Sequence, residues 1–132
     1  MTSAQEFVEY AESVVARDKS AVSSVELRSA VSRAYYGAYH TCLQFEASLA
    51  IVGRESDRPG GVHEKLLQRL GSPDSRLSDA IKLTSRRLSA LLRQSREERE
   101  RADYHLDIEY SFDQAKVAVI EARKIVDLAN IK

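Results

Sequence analysis

Several residue types and patterns are rare or missing in this chain, and their absence excludes several classes of protein. Cys42 is its only cysteine, so it forms no disulfide within itself, and we expect a small core residue in a reducing, cytoplasmic setting. The 20 basic residues balance the 20 acidic ones, which argues against coating nucleic acid through bulk charge but allows a local basic patch.

Long apolar runs are missing too. The longest, Leu49 to Val52, is far too short to cross a bilayer, so no membrane segment is expected. The first residues have no basic start followed by an apolar block, which predicts no secretory signal.

Motifs of cofactor chemistry are also absent. The chain has no Walker loop and no dinucleotide-binding glycine fingerprint. Its three histidines, His40, His63 and His105, have no spacing typical of metal ligands. The sequence therefore predicts neither a metal nor another cofactor.

Helical periodicity runs through the whole chain, without convincing strand alternation. A length of 132 residues suits one domain, residues 1–132. We therefore expect an all-α fold, an up-and-down bundle of four long helices plus one short helix.

Capping signals and glycines mark the expected helix ends. The first helix starts at a capping box on Thr2 or Ser3 and fades near Arg17. The second follows a box at Ser23 and runs to about Val52. The remaining segments are a short helix at 62–70, a long helix at 75–101, a break or turn at 102–110 and a last helix at 112–129.

The second helix carries apolar residues on two faces. Tyr35 and Cys42 lie on its main seam, while Tyr36, His40 and Leu43 form a second stripe. A helix that is apolar on two sides is either central in its bundle or part of an oligomer interface. Both alternatives remain open from the sequence.

The seam of the long fourth helix ends in Arg99, and His105 follows with five residues between them. An arginine offers a rigid fork of donors for a phosphate. A histidine exchanges protons near neutral pH. Together they suffice for RNA cleavage without a metal, in which the ribose 2′-hydroxyl attacks the adjacent phosphorus.

Taken alone, the spacing of Arg99 and His105 favours a purely structural interpretation. Arg99 would then pair with Asp103 or with a carbonyl at the helix end, and His105 would be a partly exposed cap.

Three blocks, in matching order along the chain, resemble small prokaryotic proteins of the HEPN superfamily. The segment 32–40, SRAYYGAYH, resembles their SRAYYAAFH segment, and 99–104, RERADY, resembles their R-x-x-A-D-Y segment. Gly61-Val62-His63, before a short amphipathic helix, resembles their middle region. The resemblance implies a HEPN-like bundle that pairs as a homodimer.

The resemblance also implies a function. In catalytic HEPN proteins an Arg-x4–6-His motif from each subunit forms a composite ribonuclease site, and Arg99 and His105 match that spacing. Many members are toxins with a nucleotidyltransferase antitoxin. Others bind nucleotide or RNA without cleaving it, and Glu100, where the family often has a small polar residue, fits that alternative. A helical adaptor with Arg99 buried in an ion pair is a third possibility.

Further residues have predicted binding or structural roles beside Arg99 and His105. Arg96, Arg101, Tyr36 and His40 are candidates for binding RNA or phosphate if two subunits converge. Otherwise the arginines belong to a solvated face, and Tyr36 and His40 pack against the first or last helix. Asp103 and Tyr104 are expected to lock the turn after the fourth helix, Asp103 through hydrogen bonds and Tyr104 by packing.

Overall fold

A computed structural model describes residues 2–130. Within them the chain forms five α-helices and a 3-10 turn at Lys19–Ala21, with no strand. The helices are α1 (Ala4–Val15), α2 (Ser24–Ala47), α3 (Val62–Gly71), α4 (Asp79–Tyr104) and α5 (Phe112–Ala129). The expected all-α bundle is confirmed.

The capping boxes act where the sequence predicts them. Ser3 with Glu6, Ser23 with Glu26 and Ser111 with Gln114 each form a reciprocal box that satisfies free amides of the first turn. Each box spans only three residues, so local sequence is enough to position these helix starts.

Three predicted helix bounds are wrong: the end of α2 and both ends of α4. Helix α2 stops at Ala47, five residues short of Val52. The hydroxyl of Ser48 donates to the Phe45 carbonyl (2.6 Å), an interaction that competes with helical continuation. The following chain then runs beside the end of α3, where the amide of Arg54 donates to the Ser72 carbonyl (3.1 Å).

Helix α4 is displaced toward the C-terminus relative to its predicted bounds. It begins after Ser78, whose hydroxyl accepts from the amide of Ile81, and it continues through Ala102 to Tyr104. Ala102 is buried in the core, so burial favours an extra helical turn where the sequence predicted a break.

One hydrophobic cluster contains buried residues from all five helices. Helix α2 contacts α1, α4 and α5, which supports the central position among the two alternatives for its two apolar faces. It approaches α1 closely at Gly37, where an added Cβ would lie 2.6 Å from the Ala4 carbonyl oxygen. Among residues 2–130, no helix combines the length and the hydrophobicity of a membrane span.

Candidate functional site

Arg99 lies near the end of α4 with its side chain 30% exposed. Its Nε is 2.9 Å from Oδ2 of Asp103, which also accepts a hydrogen bond from the Ser32 hydroxyl (3.2 Å). The guanidinium carbon lies 5.8 Å from the ring centre of Tyr35 and 5.4 Å from that of Tyr104. No Nη group of Arg99 donates a hydrogen bond to the described residues, so these groups can donate hydrogen bonds to a ligand.

His105 occupies a different place. It is the exposed C-cap of α4, and its amide donates to the Arg101 carbonyl (3.2 Å). Its side chain borders a shallow depression that includes Arg101, Glu109 and Tyr110. No hydrogen bond or ion pair between residues 2 and 130 joins it to Arg99.

The single chain therefore arranges these two residues as the structural interpretation expects. Arg99 pairs with Asp103, and His105 is an exposed cap. The ion pair is only part of what a helical adaptor predicts, because Arg99 is partly exposed rather than buried.

The loop that carries His105 is held by Arg28 of α2. Its guanidinium donates to the carbonyl oxygens of Arg101 (3.2 Å), Ala102 (3.0 Å), His105 (3.2 Å) and Ile108. Carbonyls at a helix C-terminus lack partners in their own helix. Arg28 supplies those donors from α2, a contact for which the sequence offers no signal.

Five aromatic side chains from α2 and α3 form a connected group, named here the tyrosine–histidine cluster: Tyr35, Tyr36, Tyr39, His40 and His63. The hydroxyl of Tyr35 lies 2.5 Å from Nδ1 of His63. The His63 ring stacks on Tyr39 with 4.3 Å between centres, and His40 lies 5.3 Å from Tyr39. From the sequence, Tyr35 is expected on the core seam of α2, and His63 has no predicted functional role.

The cluster holds both members of its hydrogen bond uncharged. Burial lowers the pKa of His63, and the positive charges of Arg96 and Arg99 lower it further, with a smaller effect from His40. Burial raises the pKa of Tyr35 to about 12 despite the opposing charges of Arg96 and Arg99. At neutral pH a tyrosine hydroxyl therefore faces a neutral imidazole.

The protonation of the imidazole follows from its partners. Tyr35 has no other hydrogen-bond acceptor among residues 2–130, so its hydroxyl donates to Nδ1 of His63. A neutral imidazole that accepts at one nitrogen carries its proton on the other. His63 is half-buried, no described residue accepts from its Nε2, and this atom is not among the fully buried side-chain atoms that lack a partner, so the Nε2–H keeps some contact with solvent.

The two candidate arginines beside Arg99 differ in position. Arg96 lies on its side of α4, with Nε 3.5 Å from Glu100 and Nη1 3.8 Å from Glu64. Arg101 is two residues beyond Arg99, roughly 200° around the helix, and it pairs with Glu98. The structure therefore groups Arg96 with Arg99 and His63, and Arg101 with His105.

Tyr36 contacts the first helix, whereas the recorded contacts of His40 are with aromatic rings of its own helix. The Tyr36 ring meets Phe7 of α1 edge-on, with 4.8 Å between ring centres, and lies 4.3 Å from His40. The side chain of Arg33 lies over the same ring.

The expected turn residues need a correction. Asp103 and Tyr104 lie in the last turn of α4 rather than after it. Asp103 accepts from side chains as predicted, but Tyr104 is 66% exposed, so its expected role in packing is wrong. Its ring is available beside Arg99.

The described residues give little support for a reactive cysteine or a metal site. Cys42 is buried in the core as predicted, and burial raises the pKa of its thiol to about 12. No group of three or more histidine, cysteine, aspartate or glutamate side chains in residues 2–130 is placed to hold a metal ion.

Comparison of the chain with protein-family profiles, curated proteins and solved structures finds no match. Membership of the HEPN superfamily thus stays a prediction from the three sequence blocks.

Proposed function

We propose that this protein is a metal-independent endoribonuclease of the HEPN type that works as a homodimer. Arg99 binds the phosphate, and His105 of a second copy acts as general acid or base. One observation carries the proposal: the side chain of Arg99 is partly exposed, its Nη groups have no hydrogen-bond partner among the described residues, and the exposed ring of Tyr104 lies beside it. A guanidinium beside an exposed aromatic ring offers a nucleotide both phosphate binding and base stacking.

The reaction needs two proton transfers and charge stabilisation. The ribose 2′-oxygen bonds to phosphorus as its proton passes to a base, the bond from phosphorus to the 5′-oxygen breaks, and that oxygen takes a proton from an acid. The products are a 2′,3′-cyclic phosphate and a 5′-hydroxyl. Arg99 stabilises the negative charge on the phosphate oxygens, and His105 transfers a proton.

A second copy is required because Arg99 and His105 do not meet in one chain. Three exposed apolar side chains surround this end of α4: Tyr104, Leu106 and Ile108, with exposures of 66%, 71% and 59%. Exposed apolar side chains grouped in this way favour protein–protein contact. A two-fold interface would present each patch to its equivalent and bring two sets of Arg99 and His105 together.

The test is cleavage of RNA in EDTA with detection of cyclic-phosphate ends. We expect Arg99→Gln and His105→Gln to lose at least about 100-fold in rate, the range typical of lost acid–base or charge stabilisation. Arg86→Gln is the matched control, because it removes the same charge from an exposed site on the same helix. Unchanged cleavage in either site variant, with the fold intact, contradicts the proposal.

A second candidate is a non-catalytic module that binds nucleotide or RNA and acts with a nucleotidyltransferase partner. The contacts of Arg99 with Asp103, and of Arg96 with Glu64 and Glu100, favour it, because carboxylates beside both cations weaken the field that a phosphate would meet. RNA binding without turnover by the wild-type protein supports this candidate over the enzyme.

A further inference from the structure

We infer that Arg99 and His63 form one phosphate-binding surface within a single chain, in which His63 donates an uncharged hydrogen bond from Nε2. This assignment takes its ligand class, the phosphate of a nucleic-acid strand, from the proposed function. It adds a residue from α3 to a site whose sequence-predicted residues come from α2 and from the end of α4.

The first support is the fixed orientation of the His63 ring. Tyr35 donates to its Nδ1, and stacking on Tyr39 restricts the ring plane. Because Nδ1 is occupied and Nε2 is open, the single free donor of the ring points away from Tyr35. A donor that is held in place before binding loses less entropy when a ligand arrives.

The second support is that Tyr35 contacts both groups. Its hydroxyl reaches His63, and its ring centre lies 5.8 Å from the guanidinium carbon of Arg99. The charges of Arg96 and Arg99 both act on the pKa of His63. These two cations and the imidazole therefore share one local environment.

The third support is the charge balance around His63. Helix α4 contributes Arg96 and Arg99, α2 contributes Tyr35, Tyr39 and His40, and α3 contributes the neighbouring Glu64. Glu64 is shared between Arg93 and Arg96. The bound anion would contact the unshared Nη groups of Arg99 and the neutral Nε2–H of His63. Because His63 donates in its neutral form, binding requires no proton uptake at neutral pH.

Binding can be tested separately from cleavage. A fluorescent 2′-O-methyl RNA oligonucleotide carries the phosphates but lacks the attacking hydroxyl. Binding is measured by fluorescence anisotropy. We expect His63→Gln and Arg99→Gln each to weaken it about tenfold, as loss of a hydrogen bond to a charged group predicts. Arg86→Gln, about 20 Å away along α4, should change it less than about threefold, since it removes only a distant charge.

Nuclear magnetic resonance on the wild-type protein keeps the inference testable even if His63→Gln fails to fold. The chain has only three histidines, so their ring signals are readily resolved. The His63 signal is assigned with Tyr35→Phe, which removes a hydrogen bond made by His63 and by neither of the other two histidines. We expect the bound oligonucleotide to raise the pKa of His63, because a nearby negative charge stabilises the imidazolium.

The outcomes separate this inference from the proposed function. Binding that is equally strong in His63→Gln, a His63 signal unmoved by saturating oligonucleotide, or no binding at all overturns the inference. If wild-type protein cleaves ordinary RNA under those conditions, the proposed function survives. If the oligonucleotide binds through His63 and Arg99 but ordinary RNA is never cleaved, the enzyme proposal fails and the binding surface remains.

Discussion

The hydroxyl of Tyr35 lies 2.5 Å from Nδ1 of His63, across 28 residues of sequence. This hydrogen bond links the middle of α2 to the first turn of α3. It brings α3 into the neighbourhood of Arg99 and leaves His63 with a single donor open to solvent.

Tyr35→Phe should lower the free energy of unfolding by about 1 kcal/mol, because Nδ1 of His63 loses its partner in a half-buried position. Urea unfolding measures the change. Tyr39→Phe is the control, since the hydroxyl of Tyr39 makes no hydrogen bond in the described residues and its ring is retained. Equal effects of the two substitutions would contradict a specific role for the Tyr35 hydroxyl.

His63 should make the protein less stable as the pH falls. Its folded pKa lies below the ordinary value near 6.5, so the unfolded chain binds a proton first. The contribution is complete above about pH 6.5 and is lost as pH falls from there toward the folded pKa. Unfolding free energies measured from about pH 7.5 to about 5.5 should decline less steeply in His63→Gln. Identical slopes would refute this assignment.

Arg28→Met should destabilise the end of α4 and the loop after it. The variant keeps much of the side-chain volume but leaves four carbonyl oxygens without their shared donor, at a cost of about 2 kcal/mol. Hydrogen exchange should accelerate in residues 105–111. Arg33→Met, at an exposed arginine of the same helix, serves as control, and matching exchange in both variants would count against the anchoring role.

Gly37→Ala should destabilise the fold although alanine favours helices. The added Cβ would lie 2.6 Å from the Ala4 carbonyl oxygen and 2.9 Å from Cγ2 of Val8, so α1 must shift at a cost of about 1–3 kcal/mol. Thermal unfolding provides the measurement. Gly61→Ala, whose Cβ would meet nothing within 4 Å, should cost under about 1 kcal/mol.

Leu106→Glu should prevent the proposed dimer without unfolding the chain, because it places a charge in the exposed apolar patch at the end of α4. Light scattering at micromolar concentration tests this. Val62→Glu, on a residue that is equally exposed at the start of α3, should leave the dimer intact. A wild-type protein that is monomeric under these conditions would rule out a composite site.

The starts of α1, α2 and α5 were predictable, whereas the end of α2 and both ends of α4 were not. Ser3, Ser23 and Ser111 cap amides only three residues away, and such contacts can be read from adjacent letters of the sequence. After α2 the chain contacts the end of α3, and the late end of α4 depends on Arg28 and the core; these partners lie far away in sequence.

The candidate site divides in the same way. Sequence identified Arg99 and its pairing with Asp103 one helical turn away as one interpretation of the motif. It did not identify His63, because nothing in its neighbourhood indicates that Tyr35 will meet it. It named Arg101 together with Arg96 as a candidate for binding phosphate, whereas helical geometry places Arg101 on another face of α4 from Arg99; the role of Arg101 stays a prediction.

The sequence by itself determined the helical class, the starts of α1, α2 and α5 and the seam that ends in Arg99, because periodicity and capping are local properties of the chain. Only the tertiary structure decided that His105 stands apart from Arg99 while His63 lies near it. That choice depends on how α2, α3 and α4 pack, and packing joins residues whose separation along the chain carries no signal of contact.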